Sequence, residues 1–184
     1  MDSAFIHQAA NELVQNVGTR NIKQIARSCS LDISETSRIR DMLGLLSLYF
    51  DKPLILINHQ LDKQTKQMVC GYALGHYLEH QLLMDLHTLD KFLTIKDKHI
   101  LLYEHNAFTS HLMLDSDEVY QMTKRGLDAA QISAAKRIHL NLVLVKLLEL
   151  HHLGYDLRHY YAQHHAFIKQ FHLPAHFQFD VSAG

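Results

Sequence analysis

His76 and His80 stand four residues apart, with Glu79 between them, in the run Tyr72-Ala73-Leu74-Gly75-His76-Tyr77-Leu78-Glu79-His80. On a helix such a pair shares one face, with about 5–6 Å between Cβ atoms, close enough to grip one metal ion. That is the geometry of the His-Glu-x-x-His zinc motif, in which the Glu following the first His is the general base. Here the Glu adjoins the second His instead. The chain holds 16 His and no Trp, so this spacing arises readily by chance. The pair alone does not establish a site.

A wider stretch says more. Residues 55–80 (ILINHQLDKQTKQMVCGYALGHYLEH) resemble the ImmA/IrrE family of zinc metallopeptidases, where a strand ending in Ile-x-Ile-Asn leads into a helix carrying His-Glu-Leu-Gly-His. Glu104–Leu114 (EHNAFTSHLML) is similar to the family's Glu-Ala-Asn-x-Phe-Ala-x-x-Leu-Leu segment, whose Glu supplies the third zinc ligand. Gly126–Leu150 resembles the helical segment that follows, with Gln131-Ile132-Ser133 in the place of Gln-Ile-Ala. The likeness runs over about residues 20–155. It implies an α+β, predominantly helical fold, a zincin-like metallopeptidase core with a small antiparallel sheet.

The departures from the pattern fall on the chemistry. The resemblance puts Tyr72 where the first ligand His belongs and Ala73 where the catalytic Glu belongs, while His76 and Glu104 occupy the second and third ligand positions. Peptide hydrolysis at zinc requires a positioned base to take a proton from the bound water, and Ala offers none. Glu79 is six residues from Ala73, over one and a half turns along the helix, and cannot replace it. Tyr72 is a costly ligand, because its phenol ordinarily ionises near pH 10. No catalytic residue of the motif is intact, and no cofactor is expected to be held firmly, although zinc stays open.

Two readings of the remnant stand side by side: His76 and Glu104, joined or not by His80, keep a weak zinc site, or they pair with each other between helices. Members of the family commonly lie in phages and mobile elements, where they relieve repression by acting on a repressor, often by cleaving it; others regulate stress transcription. The resemblance without its base implies a non-catalytic regulator that binds a repressor or another transcriptional regulator, with Tyr72 and Glu79 as contacts. The alternative is an active zinc endopeptidase with a rearranged site of His76, His80 and Glu104. A third is an inert structural protein whose site is only filled core.

These residues need elements to position them. Phe5, Ala9, Leu13 and Val17 fall at helical spacing over residues 2–17, with Asp2 or Ser3 as cap and Gly18 as stop. A short helix follows over about Asn21–Ser28, and the polar Ser34–Met42 reads as surface helix or loop. Leu43–Phe50 and Pro53–Asn58 are short apolar runs separated by Asp51-Lys52, which suits a hairpin of buried strands. Helical patterns cover Asp62–Leu86, His99–Leu114, Ser116–Lys124, Ala129–Ile138, Asn141–Leu153 and Asp156–Phe171, and Asp85–Lys98 reads as a loop. Leu140, Val143, Leu144, Leu147 and Leu150 form a stripe expected in the core. His151-His152 and His164-His165 are adjacent pairs that point apart and are expected on the surface. Residues 1–171 are read as one domain and 172–184 as an irregular tail.

Composition bounds the rest. With 47% apolar and 20% charged residues, 184 residues can bury a core and are not disordered. The net charge of −1 gives no basic surplus for a nucleic-acid backbone. The longest apolar runs, Met42–Phe50 and Leu142–Leu150, are about half a membrane span, and the first residues lack a signal-peptide pattern. Two cysteines make no disulfide framework, which points to the cytoplasm. Sixteen protonated His would carry the net charge from −1 to +15, so stability is expected to fall as pH drops through about 6.5 to 5.

Overall fold

Asp2 starts the first helix, α1 (Ser3–Val17), by accepting from the Ala4 amide, and Gly18 ends it at φ 74° with its N–H donated to Val14 O. The computed structural model describes residues 2–49, 52–82, 93–95 and 103–161. Asn21 caps α2 (Ile22–Ser28), its side chain accepting from the Lys23 and Gln24 amides. Three strands follow, β1 (Asp32–Thr36), β2 (Gly44–Tyr49) and β3 (Lys52–Asn58). Beyond α3 (Lys63–Leu82) come β4 (Leu93–Ile95), α4 (Tyr103–Met113), α5 (Ser116–Lys124), α6 (Ala129–Lys136) and α7 (Leu140–His152). The protein is α+β and predominantly helical.

The sheet order is β1-β3-β2-β4. The apolar runs pair antiparallel as expected, Gly44 opposite Ile57 and Leu46 opposite Ile55. The sheet as a whole is mixed, because β1 lies parallel to β3 with Asp32 opposite Leu54 and Thr36 opposite Asn58. The segment read as helix or loop over Ser34–Met42 therefore begins as a strand. It pairs at the end of the strand order, where polar side chains can face water and no strict alternation is required. A second difference is β4, which pairs with Gly44–Leu46 inside the stretch read as a loop; three residues carry too short a period to show. Helices α5, α6 and α7 start and end within two residues of their expected bounds. The described part of the last expected helix turns helical from 158 to 161. Its remainder, the tail and His164-His165 lie outside the described residues.

One face of β3 buries Ile55 and Ile57 beneath α3, whose middle turns carry Met68, Val69, Cys70, Tyr72, Ala73, Leu74 and Tyr77 into the core, while Lys63 in its first turn is exposed. Asn58 sets its entry: its side-chain amide donates to Met42 O at 3.1 Å, and its Oδ1 accepts from the Gln60 amide. Asp62 then accepts from the Thr65 amide and hydroxyl at 2.9 and 2.6 Å, which holds its carboxyl below the usual range. Both cysteines are free thiols, and burial pushes Cys70 up to about 12. No described helix is long and apolar enough to cross a membrane.

Helix α4 crosses α3 at close range. A Cβ on Gly71 would lie 2.2 Å from Thr109 Cγ2, and one on Gly75 would lie 3.3 Å from the Phe108 ring. Replacing Gly71 with Ala gains about 1 kcal/mol of helix propensity but forces an overlap of the kind that costs about 1–3 kcal/mol. The overlap is with a β-branched side chain whose hydroxyl is tied to His105 O at 2.6 Å, so the clash wins. Gly71→Ala should lower the melting temperature, and adding Thr109→Ser, which removes the offending methyl and keeps the hydroxyl, should restore part of the loss. Equal melting of the two variants in a thermal scan would contradict this packing.

Candidate functional site

The crossing of α3 and α4 carries the residues that the sequence singled out. Tyr72 and His76 are one turn apart on α3, and both point their rings at His105 of α4. The Tyr72 and His105 ring centroids are 5.1 Å apart at 83°, and those of His76 and His105 are 5.3 Å apart at 85°. These are edge-to-face contacts, the preferred arrangement for aromatic rings. At Gly75 an added Cβ would make an ordinary 3.6 Å contact with the His105 backbone and a tighter 3.3 Å contact with the Phe108 ring. Glu104 precedes His105 in the first turn of α4, half-buried.

Tyr72 is 4% exposed and Ala73 is fully enclosed. The Tyr72 ring packs against His105 and the core, so little of it is open to the partner contact expected of it. Glu79 and His80 lie in the last turns of α3, and their side chains fall outside those described. His105 was missed by the reading of the sequence, although it directly follows Glu104 and is one of the buried polar residues. Asn106 and Phe108 sit on α4 as helix-packing residues, Phe108 against the core.

Zinc does not fit the residues that the structure brings together. Among the described residues no group of three or more His, Cys, Asp or Glu converges as a ligand set. At the position of the first ligand stands a phenol ring packed edge-on to an imidazole, and at the next a methyl group. Tyr72 and His105 pack edge to face at this crossing.

A family model described as the IrrE N-terminal-like domain matches residues 31–147, from the residue before β1 to the middle of α7. The chain belongs to this family. No curated protein and no solved structure matches the chain. Helices α1 and α2 precede the matched IrrE-like region, and they are packed into the body rather than set apart, with Ile6, Ala10, Ile22, Ile25 and Ala26 buried.

The largest surprise in this IrrE-like body is a chain of buried polar groups on the far side of α4. Lys146 and Glu149 of α7 and His111 of α4 are all 0% exposed. Glu149 Oε2 lies 3.1 Å from His111 Nε2, and its other oxygen accepts from Tyr103 and, at 3.1 Å, from Ser3. Lys146 Nζ lies 2.7 Å from His111 Nδ1 and donates to Ser116 at 2.8 Å. In the helical pattern Lys146 and Glu149 sit three apart, a spacing that a reading for surface charge takes as solvated. A separate surface cleft of about 380 Å³ is lined by Lys23, Lys63, Lys66 and Glu35. There Lys23 and Lys66 both bind Glu35, at 3.2 and 2.7 Å, and hold its carboxyl below the usual range.

Restoring the missing donors tests the reading of the crossing. Tyr72→His with Ala73→Glu places a carboxylate in an enclosed position, so the metal-free variant should be less stable than the parent by roughly 2–4 kcal/mol. Zinc should recover part of that loss and raise the melting temperature of the variant alone. A parent chain that gains as much from zinc as the variant would show that a ligand set exists without His at 72.

Proposed function

We propose that this IrrE-like protein is a non-catalytic regulator that binds a transcriptional repressor, of a phage or mobile element, and modulates it by occupancy. The observation that carries the reading is Ala73. It stands where the family resemblance puts the general base, it is fully enclosed, and its methyl group cannot take a proton from water. Tyr72 and His105 occupy the adjoining volume. Binding without turnover needs only complementarity of surfaces. The surface proposed is the groove along the C-terminal part of α3, where Glu79 sits, and the site of action is the cytoplasm.

An occupancy mechanism is stoichiometric. Operator binding by the cognate repressor, followed by fluorescence anisotropy, should change in proportion to added protein and saturate, while the repressor stays intact on a gel. Glu79→Lys should weaken the effect, and added zinc should not alter it. Zinc-dependent cleavage of the repressor that disappears in His76→Ala would instead establish the rearranged endopeptidase. Unchanged operator occupancy at every dose, with no complex seen by sedimentation, would leave the inert structural reading in its place.

A further inference from the structure

The buried chain on α7 fixes where protons sit. Glu149 is ionised, accepting from Tyr103, Ser3 and His111, so the His111 proton is on Nε2. His111 Nδ1 is then the acceptor for Lys146 Nζ at 2.7 Å, and Lys146 also donates to Ser116. His7 of α1 closes the chain, its Nε2 3.2 Å from Ser116 Oγ and its ring edge-to-face with His111 at 4.9 Å. A proton added to His111 Nδ1 would face the Lys146 ammonium across that same 2.7 Å. One imidazole therefore holds the arrangement only while it is neutral.

The chain also ties α1 down. Ser3 binds Glu149 and lies 3.3 Å from His152, and His7 meets both Ser116 and His111. Apolar anchorage of this helix is uneven: Leu13, Val14 and Val17 pack against the core in its second half, whereas in its first half Ile6 and Ala10 are buried and Phe5 is 56% exposed. At its far end Arg20 donates to His111 O at 2.7 Å, to Asn11 and to Asp115, and a guanidinium keeps its charge at any pH of interest. We infer that Lys146, His111 and Glu149 form an acid-released clamp, which holds the first half of α1 on α4 and α7 and lets it go when His111 takes a second proton.

The titratable groups of the clamp all lie below their ordinary values, although their neighbours push both ways. Burial lowers His111 to about 4, with Lys146 and His7 adding to the depression and Glu149 opposing it. Burial pulls Lys146 down to about 7, helped by Arg20 and opposed by Asp115, Glu149 and Asp117. Glu149 is held at about 2 by its hydrogen bonds from His111, Tyr103 and Ser3 against the penalty of burial. His7 is lowered by burial and by Lys146. The folded value lies below the ordinary one in each case, so each contribution is whole above the ordinary value and is lost as pH falls toward the folded one. For His111 the window runs from 6.5 down to about 4.

Hydrogen exchange on the full chain, with α6 as the internal reference, reads the clamp. Opening of α1 should rise by at least about 30-fold between pH 8 and pH 5 from His111 alone, after correction for intrinsic exchange, with Ser3–Ala10 ahead of Asn11–Val17 and α6 unmoved. Nitrogen-15 spectra should show His111 neutral and protonated on Nε2 at pH 7. In Lys146→Met the conflict is gone, so His111 should titrate at least one pH unit higher and the pH dependence of α1 should flatten. Equal acceleration in α1 and α6, or His111 carrying its proton on Nδ1 at pH 7, would overturn the inference with wild-type protein alone. An unchanged titration in a folded Lys146→Met would do the same.

Discussion

Helices α3 and α4 meet with almost nothing between their backbones at Gly71 and Thr109, and that distance sets the positions of Tyr72, His76, Glu104 and His105. Two helices with ordinary side chains at the contact stand farther apart; here a single Cβ would overlap a threonine methyl. The close crossing lets rings one turn apart on α3 converge on one imidazole of α4. It is a contact of packing, made by a glycine on one helix and a threonine on the other. In this chain Tyr72 and Ala73 complete the interior that the helix crossing encloses.

What the sequence revealed depended on period and punctuation. Asp2 and Gly18 mark the ends of α1 by residue type, and α2, α5, α6 and α7 could be read closely from helical spacing. The β2–β3 hairpin was legible because both runs are apolar and short. β1 and β4 were not, since a polar edge strand and a three-residue strand show no pattern above background. At the site, Tyr72, Ala73, His76 and Glu104 were found through the family resemblance, while His105 required knowing which face α4 turns toward α3. Gly71 with Gly75 was a local signal that went unused: two small residues four apart on one helix face permit a close neighbour.

Lys146 and Glu149 show a different limit. Sequence patterns assign charged residues to water because burying an unpaired charge costs several kcal/mol. The pair escapes that rule through His111, an imidazole that bridges ammonium and carboxylate and satisfies both. Such a bridge joins residues 35 and 38 positions apart, so nothing local announces it. The same bridge makes α7 amphipathic in an unusual sense, with Val143, Leu147 and Leu150 in the core on one side and enclosed ions on another.

Ser3 and Glu149 are separated by 146 residues, and this distance governs how the protein is made. A ribosome adding roughly 5–20 residues per second needs on the order of 10 s to travel from one to the other. Throughout that interval α1 lacks the carboxylate that its Ser3 binds. The IrrE-like body, which begins at β1, can assemble its sheet and α3–α4 crossing from nearer contacts meanwhile. Helix α1 can thus rest on α4 before α7 emerges, but its polar anchorage through Ser3 is completed only with α7.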